Sequence, residues 1–223
     1  MKNTKRFVSI LCLLIITNCK SQKINKMSIP IINNKSEILN IDNFSQHNLN
    51  KRSQSNENYF ITTRDNLLEV KNHNGETIIS YSKSDNVNYF SGYDYSTNSI
   101  IGIYKEFYSN NVLKTKGLYC WFGFKIGKWY NYNEKGELIS YEDFDQGFNF
   151  TYEMVFSYCN KNNISLEKKG SGNTTTITKY ISEDKNVLLW GISYYDNNSN
   201  KIIELDGKNG DLVRTFELPL PID

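Results

Sequence analysis

Histidine is nearly missing from this chain: His47 and His73 are the only two in 223 residues. His73 stands among Asn72, Asn74 and Gly75, the setting of a polar turn, and neither histidine is assigned a catalytic or ligand role. No HExxH, CxxC, GxSxG or phosphate-cradling glycine loop occurs. Gly170-Ser171-Gly172 reads as a connector. The loop Asp196–Asn200 offers alternating oxygen side chains, but a calcium loop of the EF-hand kind needs Gly and Glu where Lys201 and Gly207 stand. Asp143 and Asp145 read as solvated acids at a strand end. No catalytic residue, metal or cofactor is therefore expected. An excess of one charge is lacking too, with 26 Lys+Arg against 24 Asp+Glu, which speaks against nucleic acid as a partner. The longest apolar run, Phe7–Ile16, is shorter than the roughly 20 residues that span a bilayer.

What that run does fit is an export leader. Lys2, Lys5 and Arg6 precede it, and a charged start before a short apolar stretch marks a secretory signal. It ends in Ile16-Thr17-Asn18-Cys19-Lys20-Ser21-Gln22. This resembles the lipobox of bacterial lipoproteins, in the looser Bacteroidetes-like form, with Asn18 where Gly, Ala or Ser is usual. The resemblance implies cleavage before Cys19 and lipidation of its thiol and amine. Each buried methylene contributes about 0.8 kcal/mol, and two or more chains anchor stably. Without the leader's three basic residues the chain carries one acid in excess. Lys20-Ser21-Gln22-Lys23 holds no acid, and an outer-membrane position facing the periplasm is expected. Of the four cysteines, Cys120 and Cys159 remain beside Cys12 and Cys19. Export permits a disulfide, but no spacing argues for one, and buried thiols are the simpler reading.

Residues 19–58 are polar and rich in Asn, Ser and Lys, and read as a tether with at most one short element. From Tyr59 short β-branched and aromatic runs alternate with turn residues. Strands are expected at 59–63, 67–71, 76–81, 88–95, 100–108, 112–121, 128–132 and 137–141. Their closeness in sequence favours an antiparallel meander over 59–150.

The meander holds a repeat. Gly102–Leu113 aligns on Gly127–Leu138 without gaps, so that Tyr104 matches Trp129, Phe107 matches Tyr132 and Asn111 matches Gly136. Such units stack because none buries its face alone, and Trp129 is expected to be buried as the anchor of its unit. Gly127–Leu138 resembles the MORN-repeat variants of YwqK-like bacterial proteins, over about residues 100–145. That resemblance implies hairpins and, through some relatives, an antitoxin or immunity role exerted by direct contact.

In 152–164 the residues Tyr152, Val155, Phe156, Cys159 and, less strictly, Met154 recur at helical spacing, with Thr151 as N-cap and Asn162-Asn163 as the stop. Strands at 174–181, 187–195, 201–205 and 212–216 follow. The ending Leu189–Tyr195 and Ile202–Val213 resembles PepSY-like domains, which implies an α+β module and, in some relatives, restraint of a peptidase.

The fold expected is mainly β: a meander of repeat hairpins, then a small α+β domain over 151–223 with one helix and about four antiparallel strands. The function expected is non-enzymatic binding by a lipid-anchored envelope protein. Its partners would be the membrane, through lipid on Cys19, and an envelope protein or a toxin. Trp121, Phe122 and Phe124, clustered around Gly123, are the candidate partner-binding residues, either as an exposed patch or as strand residues turned into the core.

Overall fold

The computed structural model describes residues 28–40, 60–64, 67–72, 74, 76–83, 89–168, 175–182, 186–196 and 199–219. The expected leader, Cys19, His47, His73 and Gly170–Gly172 lie outside the described residues. Eight strands, β1 (Phe60–Arg64), β2 (Leu67–Lys71), β3 (Thr77–Ser82), β4 (Ser91–Asp94), β5 (Ile101–Phe107), β6 (Leu113–Cys120), β7 (Phe124–Tyr132) and β8 (Leu138–Asp143), form one antiparallel sheet in sequence order. Helix α1 (Tyr152–Lys161) follows. Then β9 (Thr176–Ser182), β10 (Val187–Asp196), β11 (Ser199–Asp206) and β12 (Leu212–Pro219) make a second sheet. The fold class is the one expected.

The repeat hairpins β5–β6 and β7–β8 share their turn. Asn111 and Gly136 both adopt the left-handed conformation, at φ 64° and 80°, which glycine and asparagine tolerate best. The register slips at matching places, between Glu106 and Phe107 and between Asn131 and Tyr132. A third copy, not picked out from the sequence, closes β2–β3. Its register slips between Val70 and Lys71. Asn72 Oδ1 accepts from the amides of Asn74 and Glu76, as Asn133 Oδ1 accepts from those of Lys135 and Glu137. The shared signature is Asn-x-x-Gly-Glu, at 72–76 and 133–137.

Strand β7 begins four residues before the expected Lys128. Gly127, at φ 57°, sits inside it rather than ahead of it, and the β6–β7 pairing slips between Lys116 and Leu118. The glycine marks a bulge within the strand.

Helix α1 buries Tyr152, Val155, Phe156 and Cys159, whereas Met154, placed more loosely on the same stripe, points to solvent. Thr151 occupies the N-cap with no side-chain capping bond, and Asn162 is the C-cap. Asn163 turns left-handed at φ 58°.

The sequence boundary at 150 separates the two sheets but does not divide the core. Ile101, Cys120, Phe122, Phe124 and Ile126 of the meander pack in one buried cluster with Tyr152, Val155 and Phe156 of α1 and Ile177, Trp190, Ile192, Ile203 and Leu205 of the second sheet. The Ile177 amide donates to the Phe122 carbonyl at 2.7 Å, and the Trp190 indole donates to the Phe150 carbonyl at 2.8 Å. A second cluster, with Leu68, Val70, Tyr81, Phe107, Leu113 and Tyr132, runs along the meander from β2 to β7 and includes Leu39.

Leu39 belongs to the stretch read from composition as tether. Residues 28–40 instead lie along the meander. Ser28 meets Thr97 and Asn98, and Ile38 bridges to Val112. Between these points Glu37 pairs with Lys105 and Lys116. Lys116 is only 1% exposed, and its ammonium also donates to the Lys35 carbonyl at 2.6 Å. Polar composition hid this docking because the contact rests on charge more than on apolar area.

Candidate functional site

The meander's hydrogen-bond register brings a set of aromatic residues to one face. Tyr93 opposes Tyr104, Tyr104 opposes Gly117 and Gly102 opposes Tyr119. Tyr119 opposes Lys125 and Thr115 opposes Asn131, and Trp129 opposes Glu142. Because side chains alternate along strands, these residues converge. They line an open groove of about 360 Å³ together with Glu106 and Phe144.

Two glycines seat rings of this face. At Gly117 the absent side chain leaves the seat that the Trp129 indole occupies, and a methyl there would overlap the ring. At Gly102 the Tyr95 ring fills the same kind of seat. The rings then run on continuously. Tyr93 lies 5.2 Å from Tyr104 and 5.1 Å from Tyr119 between centroids. Tyr104 stacks on Trp129 at 5.4 Å and 22°, and Trp129 meets Phe144 edge-on at 5.8 Å. The Trp129 indole N–H donates to the Leu118 carbonyl at 3.0 Å, and Lys125 Nζ caps the Trp129 and Phe144 rings at 4.3 and 4.2 Å. Trp129 is buried, as expected of the anchor of its unit, whereas Tyr93, Tyr104 and Tyr119 are half-buried.

Burial raises the phenols of Tyr93 and Tyr119 above their ordinary value. Burial, with Glu106 beside it, pushes Tyr104 up to about 12. All three stay protonated at neutral pH and offer hydroxyl donors. Glu106 is engaged by Lys114 at 2.6 Å. The groove therefore offers ring faces, neutral phenols, an amide, a hydroxyl and carboxylates, a set suited to holding a flat or extended ligand.

Substituting Gly117 by alanine is expected to unseat Trp129 and cost about 1–3 kcal/mol, the usual range for overpacking. The midpoint of urea denaturation should fall, and the indole emission should shift to the red. An unchanged midpoint would mean the indole does not rest on Gly117.

The candidate residues from the sequence divide. Trp121 is exposed, with its ring 5.9 Å from Tyr95. Phe122 and Phe124 do not form a patch with it. Both are buried, because the turn at Gly123 (φ 115°) folds their rings against α1, where each packs edge-on against Phe156. The exposed three-aromatic patch is thus corrected to core residues plus one surface tryptophan. Asp145 is not simply solvated: it pairs with Lys179 and accepts the Gly127 amide at 3.0 Å. Lys179 sits among the rings of Phe124, Phe148 and Trp190, 4.9–5.5 Å away. Burial pulls its pKa down against the opposing pull of Asp145. This cluster ties β9 to the loop after β8 and borders a smaller cavity of about 200 Å³. Among the described residues no group of three His, Cys, Asp or Glu is placed to hold a metal ion, and no helix is long and apolar enough to cross a membrane.

Sequence reasoning missed the groove. The signal was present in the repeat alignment, which set Tyr104 on Trp129, but strand register was needed to add Tyr93 and Tyr119. Comparison with family models, with curated proteins and with solved structures finds no match to this chain.

Proposed function

We propose that this chain is a lipid-anchored binding protein of the bacterial cell envelope, without catalytic activity, that seats an extended segment of a partner protein in the aromatic groove of its meander. The single observation that carries the reading is the groove itself: three half-exposed tyrosines around a buried tryptophan that is seated on a glycine. Tyrosine and tryptophan give large contact area for little ordering entropy and are enriched at binding hot spots. Aromatic-lined grooves are a recurring seat for extended peptides. Anchoring rests on Cys19 and the leader before it. A toxin held by direct contact is one form the partner takes under the same reading.

Two experiments test this. Cys19→Ala is expected to leave an unlipidated protein that no longer partitions into detergent; wild-type partitioning would defeat the anchor. A photo-crosslinking phenylalanine analogue at Tyr119, in cells carrying the full chain, is expected to trap a discrete adduct that Tyr104→Ala abolishes. The same probe at Ile139, exposed on β8, is expected to trap none. Adducts indifferent to Tyr104 would sink the groove as the binding site.

A further inference from the structure

The path of residues 28–40 shows which end of the sheet the chain from the anchor joins. Ser28 lies at the turn before β5, where its hydroxyl donates to the Thr97 carbonyl and its own carbonyl accepts from Asn98. Ten residues on, Ile38 and Leu39 reach the opposite end of β5, at Asn111 and Val112. The docked segment thus runs the length of the strand away from Ser28. Ser28 is nine chain steps beyond Cys19, which fully extended span about 30 Å at most. A lipid on Cys19 therefore holds the 97–101 end of the sheet within that distance of the bilayer.

That end carries an unusual surface. Trp121, whose amide donates to the Ile100 carbonyl, is 38% exposed. Lys168 lays its ammonium 3.9 Å from the Trp121 ring centre and 4.8 Å from that of Tyr95, and also donates to the Ser99 carbonyl. Ile29 and Ile31, next to Ser28 in sequence, are exposed at 42% and 95%. A tryptophan, a tyrosine and a lysine in contact make a combination that settles at a lipid headgroup boundary: aromatic rings favour that layer, and a lysine keeps its head in water while its stem lies along apolar surface.

We propose that this end of the sheet, Trp121 with Lys168 laid over its ring, rests on the lipid surface to which the anchor ties the chain, so that the groove opens sideways above the membrane. The proposal rests on lipidation at Cys19.

The test uses the full lipidated protein in vesicles of phosphatidylethanolamine and phosphatidylglycerol carrying brominated acyl chains. Trp129 and Trp190 are buried and supply a constant background. Bromine is expected to quench the Trp121 share of the emission, and Trp121→Phe, which keeps a ring against Tyr95, is expected to abolish that quenching while leaving flotation with the vesicles intact. Flotation without Trp121-dependent quenching would overturn the docking and leave the anchor standing. Failure to float would overturn the anchor and the docking together. Emission that changes on adding an envelope protein, but not on vesicles alone, would make the face a protein interface and overturn the lipid assignment.

Discussion

Trp190→Ala is expected to cost about 3–5 kcal/mol, the usual range for removing a buried aromatic, and to unfold both sheets in a single transition. Trp190 is fully buried. Its ring meets Phe124 of the meander edge-on at 5.2 Å and Phe148 at 5.3 Å, and its indole N–H satisfies the Phe150 carbonyl. Alanine leaves a cavity at the junction of the sheets and an unpaired carbonyl beside it. Domains are stable by only about 5–15 kcal/mol, so such a loss is a large fraction of the total. Because the core is shared across the junction, denaturation followed by circular dichroism and by tyrosine fluorescence should give coincident curves in wild type and variant alike. Two separated transitions, with only the later part of the chain destabilised, would mean that the sheets stand independently.

Glu37→Gln is expected to cost about 3 kcal/mol, the low end for stripping one partner from a buried ion pair, since Glu37 is itself part exposed. The amide leaves Lys116, almost wholly buried, with only neutral oxygen partners, the Lys35 carbonyl and the Asn33 side chain. Lys116→Met, which removes the buried charge and keeps the volume, is expected to be far milder. Equal losses in the two variants would mean that packing, not charge, holds the segment. Burial alone raises the Glu37 carboxyl, but the hydrogen bonds and positive charge of Lys105 and Lys116 outweigh it and hold the group below its ordinary value of 4.5. A carboxyl with a depressed folded value contributes stability above its unfolded value and loses it as pH falls through the folded one. Docking of residues 28–40 should therefore hold at neutral pH and weaken progressively below about pH 4.5. Amide exchange at Leu39 and Leu113, whose amides donate to the Asn111 and Glu37 carbonyls, measures this, and exchange that is flat with pH after correction for its intrinsic rate would contradict it.

The strands were legible because each is bracketed by its own turn chemistry. Leu67–Lys71 lies between Asp65-Asn66 and the Asn-rich turn after it, and it runs where it was placed. The helix was legible from Tyr152, Val155, Phe156 and Cys159, whose spacing sets one buried stripe. Glycines misled where they serve within strands: Gly123 and Gly127 flank Phe124–Ile126 and resemble turn signals, yet only the first closes a turn. Residues 28–40 were misread because a buried lysine with its carboxylate looks, in composition, like solvated surface. Of the candidate site, Trp129 was legible as an anchor from its repeat. The rest of the groove depends on which tyrosines the register turns to one face, which alternation alone does not decide when strands carry aromatics at successive positions.

Cys120 and Cys159 are free thiols buried in the shared core, one from each side of the junction. Burial pushes each up to about 12, so that almost none of the reactive thiolate exists at neutral pH. A thiol reagent therefore meets these sulfurs only when the core opens. The two cysteines make the protein its own unfolding clock: their labelling rates should coincide if the sheets part and unfold together, and each would keep separate time if one sheet opens while the other holds.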